Sequence, residues 1–271
     1  MWRYMIYIRN VKYLQIVLFT AFLILFSLVT VHAQDLGASS ADPAIPERNG
    51  VYNDPQHPGV KVRVFVHPAK PETNTSPVLT CSLSDPESTA VVDRTGWNLS
   101  SNWTYNLNPT TVPSSVGSSN LSTIANTAFN NWTTASNSKV TFVRGADSSV
   151  KRSAYDGQNI IAWGRTNGSA LGVTYTRYYT QTGQVVDVDT IMNVKFPWKW
   201  SGGNNTCAYS DAYDAQDILT HELGHWLGLD DEYDSASYQH ATMYGYGSKG
   251  EVKKDTLTTG DKSGVFAIYN P

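Results

Sequence analysis

The run from His221 to Asp231, His-Glu-Leu-Gly-His-Trp-Leu-Gly-Leu-Asp-Asp, constrains this chain more than any other stretch. In a helix, residues i and i+4 share a face, so His221 and His225 project side by side and can grip one metal ion. Glu222 is rotated about 100° from His221, off the ligand direction but within reach of a water on the metal's open side. A hydrolytic zinc site needs this division of labour: the metal acidifies a water and a carboxylate takes its proton.

Two protein ligands are too few for a catalytic zinc, which usually has three plus water. Gly228 can adopt the left-handed conformation that ends a helix and reverses the chain. Spacing then favours Asp231, three residues on, as third ligand, with Asp230 and Glu232 as rivals. The apolar positions Ile218, Leu219, Leu223, Trp226 and Leu227 make the rest of the segment a buried amphipathic helix. By itself the His-Glu-x-x-His spacing also fits such a helix by chance; Gly228 and Asp231 make it more specific.

From these residues the chain resembles the metzincin clan of zinc endopeptidases, and within it the matrixins. The clan pattern is His-Glu-x-x-His-x-x-Gly-x-x-His/Asp followed by a turn carrying Met, and Ala241-Thr242-Met243-Tyr244-Gly245 is similar to the matrixin turn. The resemblance implies that Met243 floors the site without ligating, and that the fold is α+β: a twisted mixed β-sheet with an active-site helix, a backing helix and a C-terminal helix. Leu121, Ile124, Ala125, Ala128, Phe129 and Trp132 predict the backing helix. Strands are expected at Val140–Val143, within Asp156–Gly164, at Leu171–Thr176 and at Val185–Asn193. In similar proteases the strand at 171–176 is the sheet edge, along which an extended substrate would pair by β-augmentation. Thr258-Thr259-Gly260-Asp261 predicts a capping box before a closing helix. Two departures stand out: the third ligand is Asp where matrixins have His, and Gly245 takes a position at which some metzincins carry Tyr. Neither Tyr244 nor Tyr246 is assigned a role.

Together these residues predict a zinc-dependent endopeptidase, with Zn2+ held by His221, His225 and Asp231, a metal-bound water, and Glu222 as general base. A zinc-stabilised extracellular binding module that lacks catalysis is the rival, and the intact Glu222 argues against it. A glutamate-type zincin would draw its third ligand from a helix downstream; Glu251 is available but has no helical pattern around it. The resemblance also suggests structural Ca2+, with Asp156, Asp187 and Asp189 as candidates that read equally well as turn formers or solvated strand positions.

The N-terminus reads as a targeting segment: Arg3, Arg9 and Lys12 precede an apolar run from Leu14 to Val31, and cleavage is expected after Ala33. The chain is therefore expected to be secreted, with an uncleaved membrane anchor as the alternative. Residues 34–94 read as a linker or propeptide-like segment and 95–271 as the catalytic domain. Within the former, Val60 to Val66 alternates as a strand that either joins the domain or belongs to a prosegment. With 20 basic and 23 acidic residues the net charge of −3 selects no nucleic acid; the expected partner is a protein or peptide substrate, and a monomer is expected. The two cysteines, Cys81 and Cys207, read first as a disulfide in an exported chain. The other reading, a prosegment thiolate on the metal, lacks the Pro-Arg-Cys-Gly pattern seen in matrixin prosegments.

Overall fold

The computed structural model describes residues 45–71, 78–166 and 168–270; the targeting segment lies outside them. Among the described residues no helix is long and apolar enough to cross a membrane. Strands are β1 (Gly50–Asn53), β2 (Val60–Pro68), β3 (Leu79–Thr80), β4 (Asn102–Leu107), β5 (Thr141–Arg144), β6 (Ile160–Gly164), β7 (Ala170–Tyr179), β8 (Val185–Asn193), β9 (Trp198–Lys199), β10 (Ala208–Tyr209) and β11 (Tyr213–Asp214). Helices are α1 (Leu121–Ala135), α2 (Ala215–Trp226), α3 (Ser235–Tyr238) and α4 (Thr259–Tyr269). The seven-stranded sheet has the order β1-β2-β7-β8-β6-β4-β5. It is mixed: β5, β4, β6 and β8 run parallel, while β7 is antiparallel to both β8 and β2.

One face of the sheet carries the helices. The predicted stripe of α1 is buried in full, from Leu121 to Trp132, and packs with Ile218, Leu219, Leu223 and Trp226 of α2 in the main core. Two indoles pin this layer: Trp132 Nε1 donates to the Thr220 carbonyl at 2.8 Å and Trp226 Nε1 to Thr190 Oγ1 at 2.9 Å. Buried Trp N–H groups need such acceptors. The other face buries a smaller cluster that includes Val62, Val64, Ile160, Val173 and Ile191. The closing helix α4 begins with the predicted capping box, Thr258 and Asp261 each accepting from the other's backbone N–H.

The described part of the segment before residue 95, residues 45–71 and 78–94, is built into this architecture. Strand β2 pairs with β7 over nearly its whole length, Val60 opposite Tyr179 through His67 opposite Gly172. The strand expected to be the sheet edge is therefore internal, because an alternating stretch near the N-terminus covers it. Residues 92–95 continue along the far side of the site, where Thr95 N–H donates to the Gly228 carbonyl and Asp230 N–H to the Asp93 carbonyl. Cys81 is disulfide-bonded to Cys207, and β3 pairs with β10 beside the bridge. The bridge thus ties the segment ahead of the helical layer to the loop that leads into α2.

Candidate metal centre

Asp214 starts α2 by accepting from the N–H groups of Gln216 and Asp217, satisfying donors that the first helical turn leaves free. One helix face then carries His221 and His225, both wholly buried. Their Nδ1 atoms lie 2.7 Å from the Thr242 carbonyl and 3.0 Å from the Leu229 carbonyl. A carbonyl only accepts, so each Nδ1 carries a proton, which leaves Nε2 as the ring atom available to a metal. Gly228 ends the helix at φ +98°, and a Cβ there would lie 2.7 Å from the Trp97 carbonyl oxygen. The expected left-handed reversal is present and steric space reserves it for glycine.

The reversal delivers Asp231 to the histidines. Its Oδ1 is 3.2 Å from His221 Nε2 and 3.5 Å from His225 Nε2. The two rival acids face elsewhere: Asp230 pairs with Arg63 at 2.8 Å, and Glu232 accepts from the Asp93 N–H at 2.7 Å. Glu251 accepts from the Ser248 N–H and lies 3.5 Å from Lys253. Met243 is fully buried, and a Cβ added at Gly224 would run into its sulfur. The methionine therefore lies directly against the turn between the two histidines.

The structure adds a third histidine that local sequence did not single out. His67, at the end of β2, is wholly buried with its ring centroid 3.8 Å from that of His221. His67, His221 and Asp231 each offer a ligand atom within 4.8 Å of the others, and His225 adjoins them through Asp231. Both nitrogens of His67, Nε2 of His221 and His225, and Asp231 Oδ1 are buried without hydrogen-bond partners. Orphaned polar atoms are costly in a core; here they converge, and imidazole and carboxylate suit a zinc ion. Burial pushes His221 down to about 4, and burial together with the His221 charge holds His67 well below the ordinary histidine value. Both are thus neutral near pH 7, the state in which imidazole ligates.

Glu222 is completely buried beside this cluster. Thr174 Oγ1 on β7 donates to its Oε2 at 2.6 Å, while Oε1 has no partner. Burial raises its carboxyl to about 7. Gly172 on β7 makes room for it: a Cβ there would stand 2.5 Å from Oε1. Thr174 and Tyr233, whose hydroxyl donates to Asp231 Oδ2 at 3.2 Å, also escape sequence reasoning. A hint existed for Tyr233, since Gly245 leaves space and the Tyr233 ring fills it, 2.8 Å at Cζ from where a Cβ would sit.

The calcium candidates have other partners. Asp187 and Asp189 hold the buried guanidinium of Arg177 at 2.8 and 3.2 Å, and Asp156 accepts from the Gln158 N–H two residues on, as a turn former does.

A family model described as Matrixin matches residues 96–270. A comparison with curated proteins found no match. With a sheet-and-helix fold of this kind, a histidine–aspartate cluster gathered at the helix that carries His221 and a match over more than half of its length, the chain belongs to the matrixin family of zinc metalloendopeptidases.

Proposed function

We propose that His221, His225 and Asp231 hold a zinc ion and that Glu222 is the general base that hydrolyses peptide bonds in protein substrates outside the cell. When bound, the ion would supply Lewis acidity toward water and the substrate carbonyl. His221 and His225 turn Nε2 toward the ion's position, their Nδ1–H groups oriented by the carbonyls of Thr242 and Leu229. Asp231 brings one negative charge, so its site neutralises more of the ion's charge than a three-histidine site does. Glu222 accepts a proton at Oε1 and returns it to the leaving amine, while Thr174 fixes its other oxygen.

The observation that carries this reading over a purely structural zinc module is the unpartnered Oε1 of Glu222, buried against the cluster. A structural site closes its coordination with protein atoms and needs no such group. The test is Glu222→Gln in the active form of the enzyme. Zinc content and melting behaviour should match wild type while casein hydrolysis falls by on the order of 10²–10⁴, the range for loss of a general base. Undiminished cleavage by this variant would refute the assignment.

A further inference from the structure

Strand β2 does more than extend the sheet. It runs antiparallel along β7, which the matrixin resemblance makes the strand for an extended peptide substrate. Beyond the strand the same chain continues through the site. Ala69 N–H donates to the Ser169 carbonyl at 2.8 Å, Lys70 N–H to the Gly247 carbonyl at 2.9 Å, and Gly247 N–H to the Pro68 carbonyl at 3.1 Å. Residues 68–70 are therefore gripped between the start of β7 and the segment that comes after Met243, with Ala69 and Gly247 in parallel register. Two-sided backbone pairing of this kind is how a cleft holds an extended peptide.

The side chains fit the same pattern. Alternate residues of a strand share a face at about 6.8 Å, close to the rise of about 6 Å between i and i+4 on a helix. Phe65 and His67 thus meet His225 and His221 one to one. Phe65 stacks on His225 with centroids 3.8 Å apart and planes 7° from parallel, and His67 meets His221 edge-on at 3.8 Å. Phe65 is fully buried. His67 gains no hydrogen bond from its position: both ring nitrogens are buried and unpartnered, and one of them lies within 4.8 Å of ligand atoms on His221 and Asp231. A histidine placed there for packing alone would leave two buried polar atoms unsatisfied.

We infer that β2 is an internal latch: it fills the substrate position along β7 and brings His67 to the metal as a fourth protein ligand, so that the intact chain is latent until residues 66–70 are displaced. The latch depends on the zinc reading of the site. It replaces a thiol-based block with an imidazole, consistent with both cysteines being committed to the disulfide.

The test is metal spectroscopy on the full chain, loaded with zinc for X-ray absorption and with cobalt for visible spectra, in wild type and His67→Ala. Wild type should show three imidazoles on the metal and no change in its cobalt bands on adding acetohydroxamate, a small bidentate chelator. His67→Ala should show two imidazoles and respond to acetohydroxamate, because the lost ring opens both a coordination position and space. If His67→Ala fails to fold, the imidazole count in wild type still decides: two imidazoles overturn the latch. It is equally overturned if intact wild type, with residues 45–71 verified by N-terminal sequencing, hydrolyses casein in a Glu222-dependent manner; the zinc-protease reading survives that result. Metal uptake that is unaffected by His221→Ala removes the zinc reading and the latch together.

Discussion

Gly224 sits between the two histidines near the C-terminal end of α2, where propensity and packing give opposite answers for an alanine. Glycine in a helix interior is about 1 kcal/mol less favourable than alanine, so Gly224→Ala would stabilise an isolated helix. In the fold a Cβ at this position would overlap Met243 Sδ, stand 3.0 Å from Met243 Cε and 2.9 Å from Trp132 Cζ2. Carbon atoms in contact prefer about 3.5–4.0 Å, so the ring edge alone is crowded by roughly 0.6 Å. Neither neighbour has room to yield. Trp132 is fully buried and tied to the Thr220 carbonyl. Met243 is fully buried too, its N–H donating to Asp261 Oδ1 at 3.2 Å and its carbonyl accepting from the Glu232 N–H at 3.0 Å. Overpacking of this kind costs about 1–3 kcal/mol, and here it outweighs the propensity gain at all but the low end. The expected net loss is about 1–2 kcal/mol, or about 2–8 °C in melting temperature for a domain of this size. The assay is thermal and urea denaturation in the presence of a chelator, so that metal binding does not mask the packing term. Met243→Ala supplies the second corner of a cycle. Alone it should destabilise by about 2–5 kcal/mol through the cavity it leaves, but combined with Gly224→Ala the new methyl enters that cavity and the losses should sum to less than the singles. A Gly224→Ala protein that melts at or above wild type would refute the placement of the methionine turn under the helix.

Gly172→Ala perturbs the proposed base from the opposite side. Its Cβ would approach Glu222 Oε1 to 2.5 Å while Thr174 holds the other oxygen, and a displacement of about 1 Å can cost on the order of 10² in rate. In activated enzyme kcat/KM should fall by that order with zinc content unchanged; a loss under threefold would sink the argument. A pH prediction concerns Arg177. Burial, and for Asp187 the adjacent Asp189, hold both carboxyls above the ordinary carboxylate range despite the guanidinium between them. Their unfolded values lie near about 3.9, so the folded state binds protons that the unfolded state has released. The stability they contribute is complete below about pH 4 and is lost as pH rises through the folded values. Urea midpoints should therefore drop between pH 5 and pH 8 more steeply for wild type than for Asp187→Asn, and equal slopes would contradict the reading.

Local sequence carried much of the site because its geometry is helical and short-range. His221 and His225 share a face by the period of the helix. Gly228 reverses the chain because steric space demands a left-handed residue, and the same period places Leu121 to Trp132 against the core. The Thr258–Asp261 capping box is likewise local, closed within one turn. Spacing favoured Asp231 over Asp230 and Glu232, and partners distant in the chain separate the three acids, Arg63 drawing Asp230 away and Asp93 occupying Glu232. The joining of Cys81 to Cys207 was the simplest pairing of two cysteines in an exported chain, and tertiary structure brings them together across 126 residues.

Strand character from Val60 to Val66 was evident from alternation, yet its neighbour was not. Alternation says which residues share a face, whereas pairing depends on which sheet edge is free once the rest of the chain has folded. Only the assembled sheet sets β2 against β7, and only then does His67, one polar residue at the end of an apolar strand, meet a histidine far along the chain. The sequence by itself determined the histidine-bearing helix and its reversal, because each is set by contacts within a few residues. The tertiary structure decided what covers that helix, because long-range strand pairing has no local signature.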